Sequence, residues 1–504
     1  MAAGYSGKNF GQSLAHYVGG RVSNAAMAFF IFAWVARYLP EQHYANYIAA
    51  YACLELGLVI FGFGMEWVTA VFIPQVKVKA SSSVLRRFVW ECAAIQAALL
   101  FAGACTFALL APILAQWLGL ENASDVFRLY ALVMFVEGMS RVFRDQLLSC
   151  LLQQGASQLS QFARNVLMLG FALLLSSEAD WRTASMLARA ELFASAVSLL
   201  LAMLFLASSL RSPVNEVVPH DDEWQRPGWP GMLRAGRNAW LSNLANLSWG
   251  GQAVILLVTR LIGSDATAAL GFARNLSEQV RRYLPMEFLL GIVRTFVIAH
   301  FAQDGNAKHL ALRAGLMYRL NLLFLLPLIV LVALKGDELC ALLSHGRYAN
   351  AQWLLFGWLF VLVFWAHHRL SDLMAHALKR SGVTTRVGLC LLITPAFLAL
   401  AAYFRLWPMV FLVLALAELS YSAGVISALG IYRFNIKALF KLSLTVIPCA
   451  VVVMLPFWPD GLLSILSQLV CIYGLVAGSA FLLRAWSTEE SEVFPWARRA
   501  IEEA

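Results

Sequence analysis

Residues 271–296 have the sequence GFARNLSEQVRRYLPMEFLLGIVRTF and the length of a membrane-spanning helix. Four of its charged residues, Arg274, Glu278, Arg281 and Arg282, recur at i, i+4, i+7 and i+8, which predicts a single polar helix face. An arginine at the centre of a lipid-facing helix costs roughly 2.5 to 3.5 kcal/mol. This face is therefore predicted to line a polar interior.

The composition around this stretch is that of a polytopic membrane protein. The chain has 504 residues, of which 60% are hydrophobic and 13% charged, and its mean hydropathy is +0.69. Apolar windows predict an all-α fold with about 14 transmembrane helices. The windows lie at 14–38, 48–72, 88–111, 126–152, 159–176, 183–208, 237–262, 268–299, 312–335, 349–377, 386–404, 408–430, 440–458 and 461–484.

The net charge of +9 follows the predicted membrane topology. If the N-terminus is cytoplasmic, 20 of the lysines and arginines fall in cytoplasmic loops and tails and only six on the opposite side. The positive-inside rule then predicts that both termini are cytoplasmic. No soluble domain or basic patch indicates a nucleic-acid partner, and no P-loop or other cofactor motif is found.

The longest loop divides the predicted helices into two halves. We expect an N-terminal six-helix bundle (1–208), a cytoplasmic linker (209–236), a C-terminal six-helix bundle (237–430), two additional transmembrane helices (431–486) and a cytoplasmic tail (487–504). Residues 34–50 and 257–273 match at an offset of 223, which also pairs Glu55 with Glu278. This favours a parallel repeat with a pseudo-twofold axis along the membrane normal, as in transporters that rock two bundles; chance similarity is the alternative.

All 12 basic residues inside the predicted helices are arginines. A guanidinium keeps its charge when desolvated, and its planar fork of donors fits phosphate or carboxylate oxygens. Snorkelling to the surface is the ordinary interpretation for Arg128, Arg164, Arg189, Arg294 and Arg319. The candidates for substrate binding are, by contrast, Arg141, Arg144, Arg274, Arg281 and Arg282.

Ten carboxylates accompany these arginines. Several lie one helical turn from an arginine, as Glu137 and Asp145 do from Arg141, or as Glu278 does from Arg274 and Arg282, so local neutralisation is one interpretation. Proton or sodium coupling is the other, with Glu55, Glu66, Glu278 and Asp372 as candidates. Glu55 and Glu66 are 11 residues apart and are expected on one face of the second helix. His368, Asp372 and His376 predict a polar stripe on the tenth helix rather than a metal site.

Four stretches, two in each half of the chain, resemble a known family. LGFARNLSEQVRRYLPMEFLLGIVRTFVIAHFAQDGN and LCALLSHGRYANAQWLLFGWLF, with ARYLPEQHYANYIAA and the FGFG of residues 61–64, are similar to polysaccharide flippases of the multidrug/oligosaccharidyl-lipid/polysaccharide exporter superfamily. The resemblance implies two six-helix bundles with two extra helices in the bacterial inner membrane. It also implies alternating access through an arginine-lined central cavity, with an undecaprenyl-diphosphate-linked oligosaccharide as substrate.

Three function classes follow. The first is a lipid-linked oligosaccharide flippase for exopolysaccharide, capsule or O-antigen of lipopolysaccharide, working beside a polysaccharide polymerase and export machinery. The second is a cation-coupled multidrug exporter of the same superfamily, although a cavity for cationic drugs should be net acidic. The third, a polysaccharide polymerase or ligase, is disfavoured because every predicted periplasmic loop is short. A transporter rather than an enzyme is therefore expected.

Overall fold

The computed structural model describes residues 7–178, 181–211, 228–287, 307–378, 380–430, 436–455 and 461–482. These residues form helices and connecting turns, and no strand occurs among them. The chain divides into two compact units, Met1–Ala268 and Ala269–Ala504. The all-helical fold class expected from the sequence is confirmed.

Among the described residues, the first unit holds ten α-helices, the last of which crosses the boundary between the units. They are α1 (Gly7–Tyr38), α2 (Glu41–Gly62), α3 (Met65–Lys79), α4 (Ser82–Trp117), α5 (Ser124–Arg141), α6 (Gln154–Ser177), α7 (Ala184–Arg211), α8 (Trp229–Leu247), α9 (Gly251–Leu261) and α10 (Ser264–Tyr283). A π-helical segment, Val142–Leu148, continues α5.

The described part of the second unit begins with the end of α10 and includes eight further α-helices. They are α11 (Ala307–Ser344), α12 (Gln352–Ala377), α13 (Ser381–Cys390), α14 (Thr394–Tyr403), α15 (Trp407–Leu429), α16 (Ile436–Leu444), α17 (Val446–Val453) and α18 (Leu462–Leu482). Helix α12 packs between α11 and α15, and α17 and α18 pack on α11.

Ten helices among the described residues are long and apolar enough to cross a membrane, and 439–453 and 463–479 form shorter apolar helices. Two of the fourteen predicted windows are in neither group. The window 126–152 is divided between a helix and the π segment, and residues 288–299 of the window 268–299 lie outside the described residues. These windows carry Arg141, Arg144, Arg281 and Arg282, which belong to the sites described below.

Small residues bring the helices of the first unit close together. Ala49 and Ala50 of α2, Ala111 of α4, Ala131 of α5 and Ala188 of α7 are fully buried in one cluster. In a membrane, where lipid is as apolar as the protein, helices associate chiefly through such close packing and through polar contacts. The polar contacts of the first unit lie beside these alanines.

A break interrupts the predicted second helix. Phe63 and Gly64 have left-handed backbone angles, with φ values of 45° and 71°, so α2 ends at Gly62 and α3 begins at Met65. Glu55 lies on α2 and Glu66 on α3. The expectation that they share one face of a continuous helix is therefore wrong.

Helix α8 packs against this break. A Cβ atom at Gly64 would lie 2.2 Å from the carbonyl oxygen of Gly236, so only glycine allows the approach. Trp240 Nε1 donates to the carbonyl oxygens of Val59 and Ile60, both at 3.1 Å. These carbonyls belong to the last turn of α2, where intrahelical donors are missing. The indole therefore caps α2.

The repeat predicted from the sequence appears in the helix boundaries. Helix α1 ends at Tyr38 and α9 at Leu261, and α2 begins at Glu41 while α10 begins at Ser264, so both pairs are 223 residues apart. Three prolines of the second unit lie at different places relative to the helices. Pro285 follows the end of α10 and Pro395 begins α14, but α11 continues past Pro327 and leaves helical geometry at Lys335 instead.

The expected division into bundles 1–208 and 237–430 stays a prediction. Residues 212–227 of the expected linker, 1–6 and the tail from 483 lie outside the described residues. Helices α8 and α9 pack on α2 and α3 within the first compact unit.

Candidate functional site

Seven charged side chains from four helices and the π segment meet inside the first unit. We call them the N-terminal charged cluster; its members are Glu55 on α2, Glu137 and Arg141 on α5, Arg144 and Asp145 on the π segment, Arg164 on α6 and Glu191 on α7. Local helix spacing explains only part of this cluster, because most contacts join different helices.

Glu137 is the centre of the N-terminal charged cluster. Its side chain is 5% exposed and accepts hydrogen bonds from Arg141 Nε at 3.0 Å and Ser195 Oγ at 2.8 Å. Arg164 Nε lies 3.0 Å from its second oxygen. Arg141 in turn donates two hydrogen bonds to Glu55, at 2.9 and 3.2 Å. The predicted pair Glu137 with Arg141 is confirmed.

Arg164 joins α6 to α5 and α7. Besides its contact with Glu137, its Nη2 donates to Glu191 at 3.2 Å, and Tyr130 donates to the same carboxylate at 2.6 Å. The Arg164 side chain is only 13% exposed. The snorkelling interpretation is therefore wrong for Arg164, because buried carboxylates compensate its charge. The snorkelling interpretation agrees better with Arg128, whose side chain is 57% exposed and pairs with Asp125.

The π segment changes the partner of Asp145. Its carboxylate accepts two hydrogen bonds from Arg144, at 3.0 and 3.1 Å, rather than pairing with Arg141 as an α-helical spacing predicts. With every group ionised, three arginines face four carboxylates, which leaves the N-terminal charged cluster with a formal charge of −1. Arg141 and Arg144 are thus matched by protein carboxylates.

A second set of charges lies in the second unit and begins on α10. Glu278 contacts Arg274 at 3.5 Å and Arg281 at 2.8 Å, so these three side chains share a face as predicted. We expected Glu278 to pair with Arg282, but it pairs with Arg281, one residue earlier. Arg282 is exposed, and no described carboxylate lies within ion-pair distance of it.

Trp365 of α12 connects α10 with a further arginine. The guanidinium of Arg281 lies 4.8 Å from the centre of the indole ring, and that of Arg369 lies 5.7 Å from it. Arg369 Nε is also 3.4 Å from Glu287. We call Arg274, Arg281, Arg282 and Arg369 the C-terminal arginine group. Trp365 was not predicted from the sequence as a site residue. It lies four residues before Arg369, a spacing that places both side chains on one face of a helix.

Among the described residues, the C-terminal arginine group carries a positive surplus. Its four guanidinium groups face three carboxylates: Glu278, Glu287 and Asp372, the last of which interacts electrostatically with Arg369. The Nε atom of Arg281 is buried and has no hydrogen-bond acceptor among the described residues. A guanidinium stacked on an aromatic ring keeps its N–H groups in one plane and available to an oxyanion. This arrangement can bind phosphate or carboxylate oxygens.

One turn further along α12, His368 lies between two carboxylates. Its Nδ1 makes a short hydrogen bond with Glu418 of α15, and its Nε2 lies 3.4 Å from Asp372. Tyr421 donates to Asp372 at 2.7 Å. The predicted polar stripe therefore includes Glu418 and Tyr421 of a neighbouring helix, neither of which was named with it. No group of three metal-binding side chains occurs among the described residues, and the side chain of His376 lies outside them.

The four predicted ion-coupling residues have different surroundings. Glu55 and Glu278 pair with arginines, and Asp372 contacts His368 and Tyr421. Glu66 is exposed in the first turn of α3. The partial positive charge of the helix N-terminus stabilises a negative side chain there. The predicted intramembrane Arg294 lies outside the described residues.

The described residues form apolar spans with charged side chains buried between them, which is the architecture of a multi-pass membrane protein. Solved structures with a similar fold show which kind of membrane-protein fold this is. The chain is similar to the lipid II flippase MurJ in an inward closed conformation, with a TM-score of 0.66 and 13% identity over 93% of this chain and 98% of that one.

Two multidrug transporters show the same fold. An inward-facing MATE family transporter of the MOP superfamily matches with a TM-score of 0.58 and 14% identity, over 81% of this chain and 97% of that one. A MATE transporter in the bent conformation matches with a TM-score of 0.51 and 14% identity, over 85% and 95% of the two chains. The chain therefore has the fold shared by MurJ and the MATE transporters.

Comparisons of sequence give no match. No protein-family model matches the chain, and no curated protein matches it. The likeness rests on the three-dimensional fold.

Proposed function

We propose that this protein is a flippase that moves an undecaprenyl-diphosphate-linked oligosaccharide from the cytoplasmic to the periplasmic leaflet of the bacterial inner membrane, by alternating access. The observation that carries the proposal is the positive surplus of the C-terminal arginine group. The fold shared with a lipid II flippase supports the same class of substrate.

The chemistry of the substrate explains this surplus. A diphosphate that enters a low-dielectric protein loses water, and preorganised guanidinium forks can replace the lost hydrogen bonds. Arg281 fits this role because Glu278 and Trp365 fix its position while its Nε remains without an acceptor among the described residues. Arg282 supplies an exposed second cation, and Arg274 a buried one.

The N-terminal charged cluster supports a different assignment for Arg141 and Arg144. Carboxylates of the protein already compensate these two arginines, and the Arg144 side chain is only 7% exposed. We propose that Arg144 holds α5 and the π segment in place. Arg141, which is 30% exposed, remains the better candidate of the two for substrate contact.

A cation-coupled multidrug exporter is the second candidate. It is favoured by the MATE fold and by the formal charge of −1 on the N-terminal charged cluster, where Glu55 is 24% exposed. The C-terminal arginine group argues against it, because its surplus positive charge would repel a cationic drug. The basic loops support cytoplasmic termini, and coupling to a polymerase and export machinery follows if the substrate is a polysaccharide unit.

The test uses purified protein in liposomes that contain an undecaprenyl-diphosphate oligosaccharide. Binding is measured directly, and translocation is measured as exposure of the glycan to an impermeant glycosidase. Arg281→Ala should weaken binding about 10- to 100-fold, because one charge-assisted hydrogen bond contributes about 1.5 to 3 kcal/mol. Arg282→Ala should also weaken binding, and Arg281→Lys should restore only part of it.

Arg128→Ala is the matched control, because Arg128 is exposed and pairs with Asp125 on its own helix. Equal binding by the parent, the Arg281→Ala variant and this control would contradict the role of the C-terminal arginine group. A parent protein that neither binds nor translocates the lipid-linked glycan but exports organic cations would support the multidrug exporter instead.

A further inference from the structure

Four exposed arginines at one end of the first unit belong to neither of the two charged sites. They are Arg86 and Arg87 near the start of α4, and Arg234 and Arg237 near the start of α8. Only Arg87 has an ion-pair partner among the described residues, which is Glu91. We call these four arginines the basic end surface.

A hydrophobic cluster holds the starts of α4 and α8 together. Phe88 of α4 and Met232 of α8 are fully buried in it. The ring of Trp229 packs on that of Phe88, with ring centres 5.9 Å apart. The packing therefore places both pairs of arginines at the same end of the first unit.

The length of α4 places this end at the membrane surface. The helix has 36 residues, more than the roughly 20 that cross the hydrocarbon core. Trp90 and Trp117 on this helix are 38% and 49% exposed, and at 1.5 Å per residue they lie about 40 Å apart. That distance matches the full thickness of a bilayer with its headgroups, and tryptophan is enriched at both interfaces. Arg86 and Arg87, one turn beyond Trp90, are then at the depth of the lipid phosphates.

Helix α2 gives the same depth for the arginines of α8. Its 22 residues span about 33 Å, close to the hydrocarbon thickness of about 30 Å. The joint that follows α2, at Gly64, approaches Gly236 of α8 closely. Arg237 is the next residue, and Arg234 lies within one turn. Both pairs of arginines therefore reach the same interface from different helices.

Apolar side chains lie among the four arginines. Val84 and Trp90 of α4 and Leu233 of α8 are 39%, 38% and 43% exposed. Surfaces that lie in the membrane interface combine cations with apolar side chains, because the cations contact the headgroups and the apolar groups enter the acyl boundary. An acidic soluble protein would satisfy only the charges. The combination therefore favours a lipid partner.

We propose that the basic end surface binds anionic phospholipids, with the guanidinium groups of α4 and α8 on the headgroup phosphates and Trp90 and Leu233 among the acyl chains. Guanidinium forks fit phosphate oxygens, and clusters of basic residues beside a membrane helix attract anionic lipids. The lipid is a resident partner that is not transported, so the inference does not depend on the flippase proposal. A lipid in contact with both pairs also strengthens the attachment of α8 to α4.

The experiment counts lipids bound to the purified protein by native mass spectrometry. Phosphatidylglycerol is compared with zwitterionic phosphatidylethanolamine of the same acyl chains, and the parent should bind the anionic lipid more tightly. Two double variants, Arg86→Gln with Arg87→Gln and Arg234→Gln with Arg237→Gln, should each weaken that binding. The loss should reach about 30-fold, because each basic residue near the surface strengthens binding about fivefold.

The matched control removes two exposed arginines from the opposite end of the first unit. Arg37→Gln with Arg128→Gln should keep the parent's preference for phosphatidylglycerol. Salt tests the parent alone, even if a variant fails to fold. Raising it from about 0.1 to about 1 M shortens the screening length from about 10 to about 3 Å and should remove most of the preference.

Three results would overturn the proposal. The first is equal binding of the two lipids by the parent, which would leave the basic end surface to water or to an acidic protein. The second is a preference for phosphatidylglycerol that survives in either double variant. The third is complete displacement of the lipid by excess glycerol phosphate, which carries the headgroup chemistry without acyl chains, because the surface would then bind soluble phosphate and not membrane lipid.

Discussion

Replacing Glu137 with glutamine should destabilise the first unit strongly. The Glu137 carboxylate is 5% exposed and receives Arg141, Arg164 and Ser195 at 2.8 to 3.0 Å. The neutral amide keeps the shape but loses two charge-assisted contacts, each worth about 1.5 to 3 kcal/mol. Because Arg141 keeps Glu55 and Arg164 keeps Glu191, we expect a net loss of about 3 to 5 kcal/mol, as for other broken buried ion pairs.

The measurement is thermal unfolding of the purified protein in detergent. For a unit of this size, 1 kcal/mol corresponds to about 2 to 4 °C, so Glu137→Gln should lower Tm by roughly 6 to 20 °C. Arg87→Gln is the control, because the Arg87–Glu91 pair is at the surface, with Arg87 83% exposed, and surface pairs contribute only about 0 to 1 kcal/mol. A Tm for Glu137→Gln that equals the control value would refute the idea that Glu137 holds α5, α6 and α7 together.

Three further outcomes follow from the contacts. Gly64→Ala should lower Tm by several degrees, while Gly62→Ala, where an added Cβ meets nothing within 4 Å, should be close to neutral; equal effects would exclude the tight contact at the helix break. Trp365→Leu should weaken binding of the lipid-linked diphosphate roughly 2- to 30-fold, from about 0.5 to 2 kcal/mol of cation–π energy, and Trp365→Phe should weaken it less. Tyr130→Phe should lose about 1.5 to 3 kcal/mol of stability by removing a hydroxyl from a buried carboxylate, as detected by chemical unfolding; an unchanged midpoint would show that the hydroxyl contributes nothing.

Local spacing predicted the face of α10 correctly. Glu278 contacts Arg274 and Arg281 because residues three and four apart are neighbours on any α-helix. The helical class was also predicted correctly, because a run of about 20 apolar residues is long enough to cross a membrane as a helix.

Contacts between helices could not be predicted in this way. Arg141 and Glu55 are 86 residues apart, and nothing in the local sequence of either helix indicates the other. The partner of Asp145 was missed because a π segment alters the register within α5 and its continuation. The break at Phe63 was missed because phenylalanine rarely adopts positive φ, and the stabilising contacts come from the distant α8.

The two halves of the chain stop a helix at corresponding places by different chemical means. Helix α2 ends at Gly62, before the left-handed pair Phe63 and Gly64, whereas α10 ends at Tyr283, just before Pro285. The end of α2 depends on the approach of Gly64 to Gly236 and on the cap that Trp240 supplies, so a substitution at Trp240 would affect a helix end 180 residues earlier in the chain. The end of α10 lies beside Pro285, which lacks a backbone donor whatever its neighbours are.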